Sequence, residues 1–243
     1  PLVLGVAERA MRPRVDEVRA RFGLGPVTSA DDFLRRCDLM LVTTAEPFEY
    51  PRSDWGEDVL LVGANAWEPP QEAPPWLGEI ERPIVLVTTS SERQDDAVLV
   101  RTALEALADE PVFVVATMPA GLAAGLSVPA NARVEEFVPH GPLLDRACVA
   151  VTHGGMGATQ KALVRGVPVV VVPFGRDQLE VARRAEVSGA GVRLSSFMAA
   201  SVEAMMTREL RTASMRPPLR ADSSVGTSGS ATRLASAMPA AST

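Results

Sequence analysis

After Pro83 the chain settles into one rhythm, in which strand-sized apolar runs alternate with stretches of helical periodicity. "IVLVTT" is followed by the helical "DDAVLVRTALEALADE", then by the strands "PVFVVATM", "RVEEFV" and "CVAVTH". "GATQKALVRG" reads as a helix, "VPVVVVP" as the fifth strand, and "QLEVARRAEVSG" as the helix after it. Apart from "RVEEFV", the strands are apolar throughout instead of alternating, which requires cover on both faces of a sheet. Strands that alternate with helices and are buried on both faces specify an α/β domain with a doubly wound parallel sheet. Such sheets bind ligands beyond the carboxyl ends of their strands.

The first third reads helix, helix, strand, strand. "RPRVDEVRARFGLG" sets Val15, Val18 and Phe22 on one helical face and stops at Gly23 and Gly25,. Ser29 is a helix cap ahead of Asp31 and Asp32,. "DLMLVTT" and "EDVLLVG" are short strands,. The prolines between Pro69 and Pro75 suit neither a helix interior nor a central strand, so residues 69–82 read as an interdomain linker,. From about Ser214 the chain turns to Ser, Ala, Thr, Arg and Pro without apolar periodicity,. The expected organisation is the end of a truncated N-terminal α/β domain over 1–68, a linker over 69–82, a ligand-binding domain over 83–213 and a low-complexity tail over 214–243.

A net charge of −6 over 243 residues gives no basic footprint for nucleic acid,. No run is long and apolar enough to read as a membrane span,. Cys37 and Cys148 suit reduced thiols, so a cytoplasmic location is expected,. A first residue Pro1 makes the chain read as a piece of something longer. The two histidines, His140 and His153, lack partners at metal-ligand spacing, so no metal or cofactor is expected,.

One stretch concentrates the chemistry: "THGGMGATQKALVRGVPVVVVPFGRDQLE", residues 152–180. His153 ends a strand, and Gly154, Gly155 and Gly157 lead into the next helix. Such a turn offers backbone N–H groups and positive dipole potential to an anion, with Thr159 as a further donor. The glycines also fit simple close packing of strand on helix. Neither a P-loop nor the Gly-x-Gly-x-x-Gly dinucleotide pattern is present,. Asp177 and Gln178 pair an acceptor with an amide, which suits vicinal sugar hydroxyls, and equally suits a helix cap.

Taken together, "HGGMG", "GVPVVVVP" and "DQ", preceded by "FVPHGPLL", resemble the donor-binding domain of family-1 glycosyltransferases of the GT-B fold, of the bacterial natural-product or lipid type. The similarity runs from about Pro83 to Leu194, and more weakly residues 1–68 look like the close of that family's acceptor-binding domain. The resemblance implies inverting transfer of a hexose or deoxyhexose from a UDP- or dTDP-sugar, a co-substrate, to a hydroxyl of a small hydrophobic acceptor. It implies that Phe137 stacks on the nucleobase and that the Val138 backbone reads its edge. His153, Gly155, Gly157, Ala158 and Thr159 would hold the diphosphate, Asp177 and Gln178 the sugar, with Thr89 and Ser90 close by. The family usually carries a glutamate where Lys161 stands, and lysine cannot accept ribose hydroxyls, so UDP and dTDP both stay open. His140 replaces a glutamine and Val181 an asparagine. The family's catalytic base lies near the start of its N-terminal domain, outside what this chain offers. A non-catalytic sugar-nucleotide binding fragment and a sugar-nucleotide epimerase are the alternatives.

Overall fold

The computed structural model describes residues 2–194. The end of the expected ligand-binding domain, 195–213, and the expected tail lie outside the described residues. The chain divides into two compact units, one ending at Asn65 and one beginning at Ala66.

The first unit opens on helix α1, Leu2–Arg21, with Pro13 inside it. Its stop is written in the backbone: Gly23 takes φ +69. Its N–H reaches the Ala20 carbonyl at 3.0 Å, and the Leu24 N–H reaches Arg19 at 3.0 Å. That pair of bonds satisfies the last carbonyls of the helix, and the left-handed residue between them is one only glycine adopts without cost. The expected apolar face is not buried, since Val18 and Phe22 are exposed. Helix α2, Ala30–Leu34, starts as expected at Ser29, whose hydroxyl accepts the Asp32 N–H at 2.9 Å. Strands β1, Met40–Val42, and β2, Val59–Leu61, form a parallel pair with Met40 opposite Val59.

The second unit runs α3 (Pro75–Gly78), β3 (Ile84–Thr88), α4 (Ala97–Ala106), β4 (Phe113–Thr117), β5 (Ala132–Glu135) and α5 (His140–Leu144). It continues through β6 (Ala147–Thr152), α6 (Met156–Leu163), β7 (Val169–Val171), α7 (Gln178–Val187) and β8 (Gly191–Arg193). The stretch expected to be a linker is in part structural. Pro75 opens α3, Leu77 and Ile80 are buried, and the Arg146 guanidinium donates to the carbonyls of both. Trp76 lies under Arg133 at 4.5 Å.

The six strands are all parallel, in the order β5-β4-β3-β6-β7-β8. Every residue of β3 is buried. Val85 and Val87 pack with Leu99, Val100, Ala103 and Leu104 of α4, and Ile84 and Leu86, pointing to the other face, are equally dry,. This is the two-sided burial that the uninterrupted apolar runs demand, and the sheet is doubly wound. β8 and the short α5 were not read from the sequence.

Chain order reverses between β3 and β6, which opens a crevice at the carboxyl edge of the sheet,. Register sets Thr88 opposite both Thr117 and Thr152, so three neighbouring strands end at one level in a hydroxyl.

Candidate functional site

A cleft of about 470 Å³ opens at this reversal. Thr88 and Thr117 of the threonine row form its floor, and Gly157 and Ala158 of the first turn of α6 line it together with Phe137.

The floor is fully hydrogen-bonded and directional. Thr117 Oγ1 donates to Thr88 Oγ1 at 2.9 Å, and Thr88 Oγ1 donates on to the Thr89 carbonyl at 3.3 Å. With its proton so used, Thr117 accepts from His140 Nε2, 3.1 Å away, which fixes the His140 tautomer with its proton on Nε2,. Burial holds the His140 pKa down to about 4, reinforced by Lys161 and Arg165 and opposed by Glu68. His140 is therefore neutral at pH 7.

Two glycines of the turn have a task of their own. Gly154 sits at φ +93, and a Cβ there would lie 2.9 Å from Val171 Cγ1. Gly155 precedes the helix, and a Cβ on it would lie 2.5 Å from His153 Nε2, so its absence makes room for the imidazole. Gly157 belongs to the helix itself, in its first turn, and a Cβ there would meet nothing within 4 Å. Helix geometry leaves the N–H groups of Met156, Gly157 and Ala158 without an intrahelical acceptor. The first intrahelical bond is Thr159 N–H to Gly155, 3.1 Å. No acidic residue occupies this first turn. His153 stands just ahead of it, 8% exposed, and its buried Nδ1 has no hydrogen-bond partner. Burial lowers the His153 pKa, a pull opposed by the Thr88 backbone, Asp96 and Asp177 and reinforced by Arg176. The imidazole is thus a neutral donor beside free amides, an arrangement suited to phosphate oxygens.

Of the residues expected from the sequence, Thr89, Phe137, Val138, His153, Gly155, Gly157, Ala158 and Lys161 line this one cleft. Phe137 is 66% exposed, while Val138 is buried. Ser90, Thr159, Asp177 and Gln178 are not part of the lining. The Thr159 hydroxyl is buried at 3.4 Å from Thr152 Oγ1. Ser90 gives its N–H to Asp96 at 2.6 Å and accepts the Glu92 N–H. Asp177 precedes α7, exposed, without a side-chain cap bond. Gln178 is buried: its Oε1 accepts the N–H groups of Phe174 and Gly175, and its Nε2 donates to Gln94 at 2.8 Å. Gln94 in turn donates to Asp96 at 3.0 Å. Gln178 thereby ties the loop after β7 to the loop after β3. Those loops hold Arg176 at φ 56 and Asp95 at φ 59, backbone strain that such ties sustain,.

Sequence reasoning missed Thr88, Thr117 and Glu68 and gave His140 no role in the cleft, although all four line it. The threonines had a signal, since three of the strand-sized runs carry one at the last or second-last position. Glu68 had none, because its partners Lys161 and Arg165 are more than ninety positions away. Lys161 is mostly buried, its side chain 23% exposed, and it is ion-paired with Glu68.

Among the described residues no cluster of three or more His, Cys, Asp or Glu could hold a metal ion, and no helix is long and apolar enough to cross a membrane.

Residues 101–232 match the family described as erythromycin biosynthesis protein CIII-like, C-terminal domain. The chain is 42% identical over 195 residues to 4'-demethylrebeccamycin synthase of Lentzea aerocolonigenes, a match covering 78% of this chain and 46% of that protein. It is 35% identical over 167 residues to the UDP-glucosyltransferase avaP of Aspergillus versicolor, covering 65% and 37%. Among solved structures, the glycotransferase of kitacinnamycin superposes with a TM-score of 0.69 at 25% identity, over 86% of this chain and 54% of that one. The chain spans less than half the length of the curated relatives it matches.

Proposed function

The chain belongs to the erythromycin biosynthesis protein CIII-like C-terminal domain family, the C-terminal domain of family-1 glycosyltransferases of the GT-B fold, and from that premise we propose that its cleft binds a nucleoside-diphosphate sugar. The protein is a glycosyltransferase of the natural-product type. In this proposal the donor is a UDP- or dTDP-sugar carrying a hexose or deoxyhexose. The observation that carries the reading is the first turn of α6, where unpaired amides and the neutral His153 open into the crevice beside an exposed Phe137. A diphosphate needs such donors, and a nucleobase needs a flat apolar partner at the other end.

As the sugar leaves, negative charge grows on the diphosphate, and amides fixed by the helix stabilise it without reorganising. His153 adds a hydrogen bond, so no metal is called for in the proposed step. The acceptor, a small hydrophobic molecule, is held and deprotonated by residues outside residues 66–194, in the part of the relatives' length that this chain does not span. Attack from the face opposite the leaving group inverts the anomeric carbon. His140 is not the base in this scheme, being neutral but committed to Thr117. Asp177 and Gln178 act on the sugar side of the cleft, Gln178 by holding the two loops together. The epimerase reading has less support, since the matched relatives are named for glycosyl transfer or synthesis.

Titration calorimetry with UDP and dTDP tests the binding reading, which expects saturable heat with at least one of them. His153→Ala should cost about 1.5–3 kcal/mol of affinity, the range of a hydrogen bond to a charged group. Absence of heat with both nucleotides at millimolar concentration would refute it. Incubated with nucleotide sugars and phenolic or lipid acceptors, this chain by itself should give no multiple-turnover glycoside by mass spectrometry. Turnover would mean that a base lies within residues 1–243.

A further inference from the structure

A carboxylate stands in the wall of the cleft, and it comes from outside the sheet and its helices. Glu68 Oε2 meets Lys161 Nζ at 3.2 Å, and Oε1 meets Arg165 Nη2 at 3.2 Å. All three side chains are about four-fifths buried, with exposures of 21, 23 and 23%. Gly141 helps to seat the group, because a Cβ there would occupy the space taken by Glu68 Oε1. The carboxylate is therefore held by two cations and a close backbone.

Its position along α6 matters. Lys161 follows Gly157 by four residues and Ala158 by three, so it lies one turn, roughly 5 Å, further along the same face. If the free amides of the first turn hold a diphosphate, the next group of the nucleotide, its ribose, falls one turn on, beside Glu68. Lysine and arginine only donate, and a ribose edge presents hydroxyls that need acceptors. Each carboxylate oxygen has two lone pairs, and each ion pair here uses one of them.

We propose that Glu68 reads the ribose of the bound nucleotide, accepting hydrogen bonds from its 2′ and 3′ hydroxyls, with Lys161 and Arg165 as positioning residues. The proposal rests on the nucleotide-binding reading above and deepens it. It makes the chain a ribonucleotide binder: UDP is preferred over the same nucleotide without its 2′ hydroxyl. The stretch that delivers Glu68 thereby belongs to the site.

Calorimetry with UDP and 2′-deoxy-UDP, which share base and diphosphate, isolates the contact. The wild-type chain should bind UDP about tenfold more tightly, the lower end for a hydrogen bond to a charged acceptor. Glu68→Gln should bring that ratio close to one chiefly by weakening UDP, with 2′-deoxy-UDP changed far less. Lys161→Met, which frees the carboxylate to move, should lower the ratio by a smaller factor. Equal affinities in the wild type, or a ratio that survives Glu68→Gln, would overturn the role of Glu68 and leave nucleotide binding intact. Failure of the wild type to bind either nucleotide would instead overturn the binding reading on which this one stands.

Discussion

The two parallel sheets of this chain are made from similar amino acids and meet opposite fates. In β3 the sequence Ile-Val-Leu-Val-Thr is buried at every position. In β1 and β2, Met-Leu-Val and Val-Leu-Leu are half-buried at best, with Leu41 56% exposed. Apolar composition alone does not make a core. A strand in a parallel sheet becomes dry only when neighbouring strands and helices cover both its faces, as α4 and the opposite layer do for β3. Two strands by themselves leave most of that surface in water.

The largest expected effect follows directly. Leu104→Ala removes a side chain buried to 1% in the cluster with Val85 and Val87, and it should cost about 2–5 kcal/mol in urea unfolding of the second unit. Leu41→Ala should cost less than about 1 kcal/mol in the first. Similar costs at the two positions would break the comparison and mean that β1 is covered in solution.

A second contrast is in pH. Both histidines belong to the second unit. His140 is held down to about 4, so between that value and the ordinary histidine pKa the unfolded chain binds a proton that the folded chain does not. Stability is thus complete above pH 6.5 or so and falls as pH drops through this window, by about 1.4 kcal/mol per pH unit for this one group. His140→Gln, which can still donate to Thr117, should flatten that part of the slope when unfolding is followed from pH 7 to 5. An unchanged slope would detach it from His140.

The smallest effect lies in the first unit. Ser29→Ala removes the cap on the Asp32 N–H and should cost about 1 kcal/mol locally. Amide exchange at Asp32 and Phe33 should accelerate about fivefold, while amides in β3 keep their protection.

These regions also differed in how legible they were. The second unit could be read from its alternation, because strands apolar at every position admit few arrangements. β8 escaped, since Gly-Val-Arg carries no periodicity, and α5 escaped because a five-residue helix has none either. In the first unit, the helix read within residues 12–25 is the second half of a longer one, since α1 begins at Leu2 and runs through Pro13. Within the site, the glycine turn and His153 were legible because their chemistry is local. Glu68 depends on pairing with side chains more than ninety positions away, and the tie of Gln178 to Gln94 likewise reaches 84 positions back. Local sequence records backbone geometry well, and records long-range polar pairing hardly at all.

The central claim is that the crevice between β3 and β6 is a nucleotide site. A backbone amide NMR titration with UDP tests it most directly. Shifts should be saturable and concentrated at Thr89, Phe137, Val138, Gly155, Gly157 and Ala158. Saturable shifts confined to residues 2–65, or none anywhere at millimolar UDP, would contradict it.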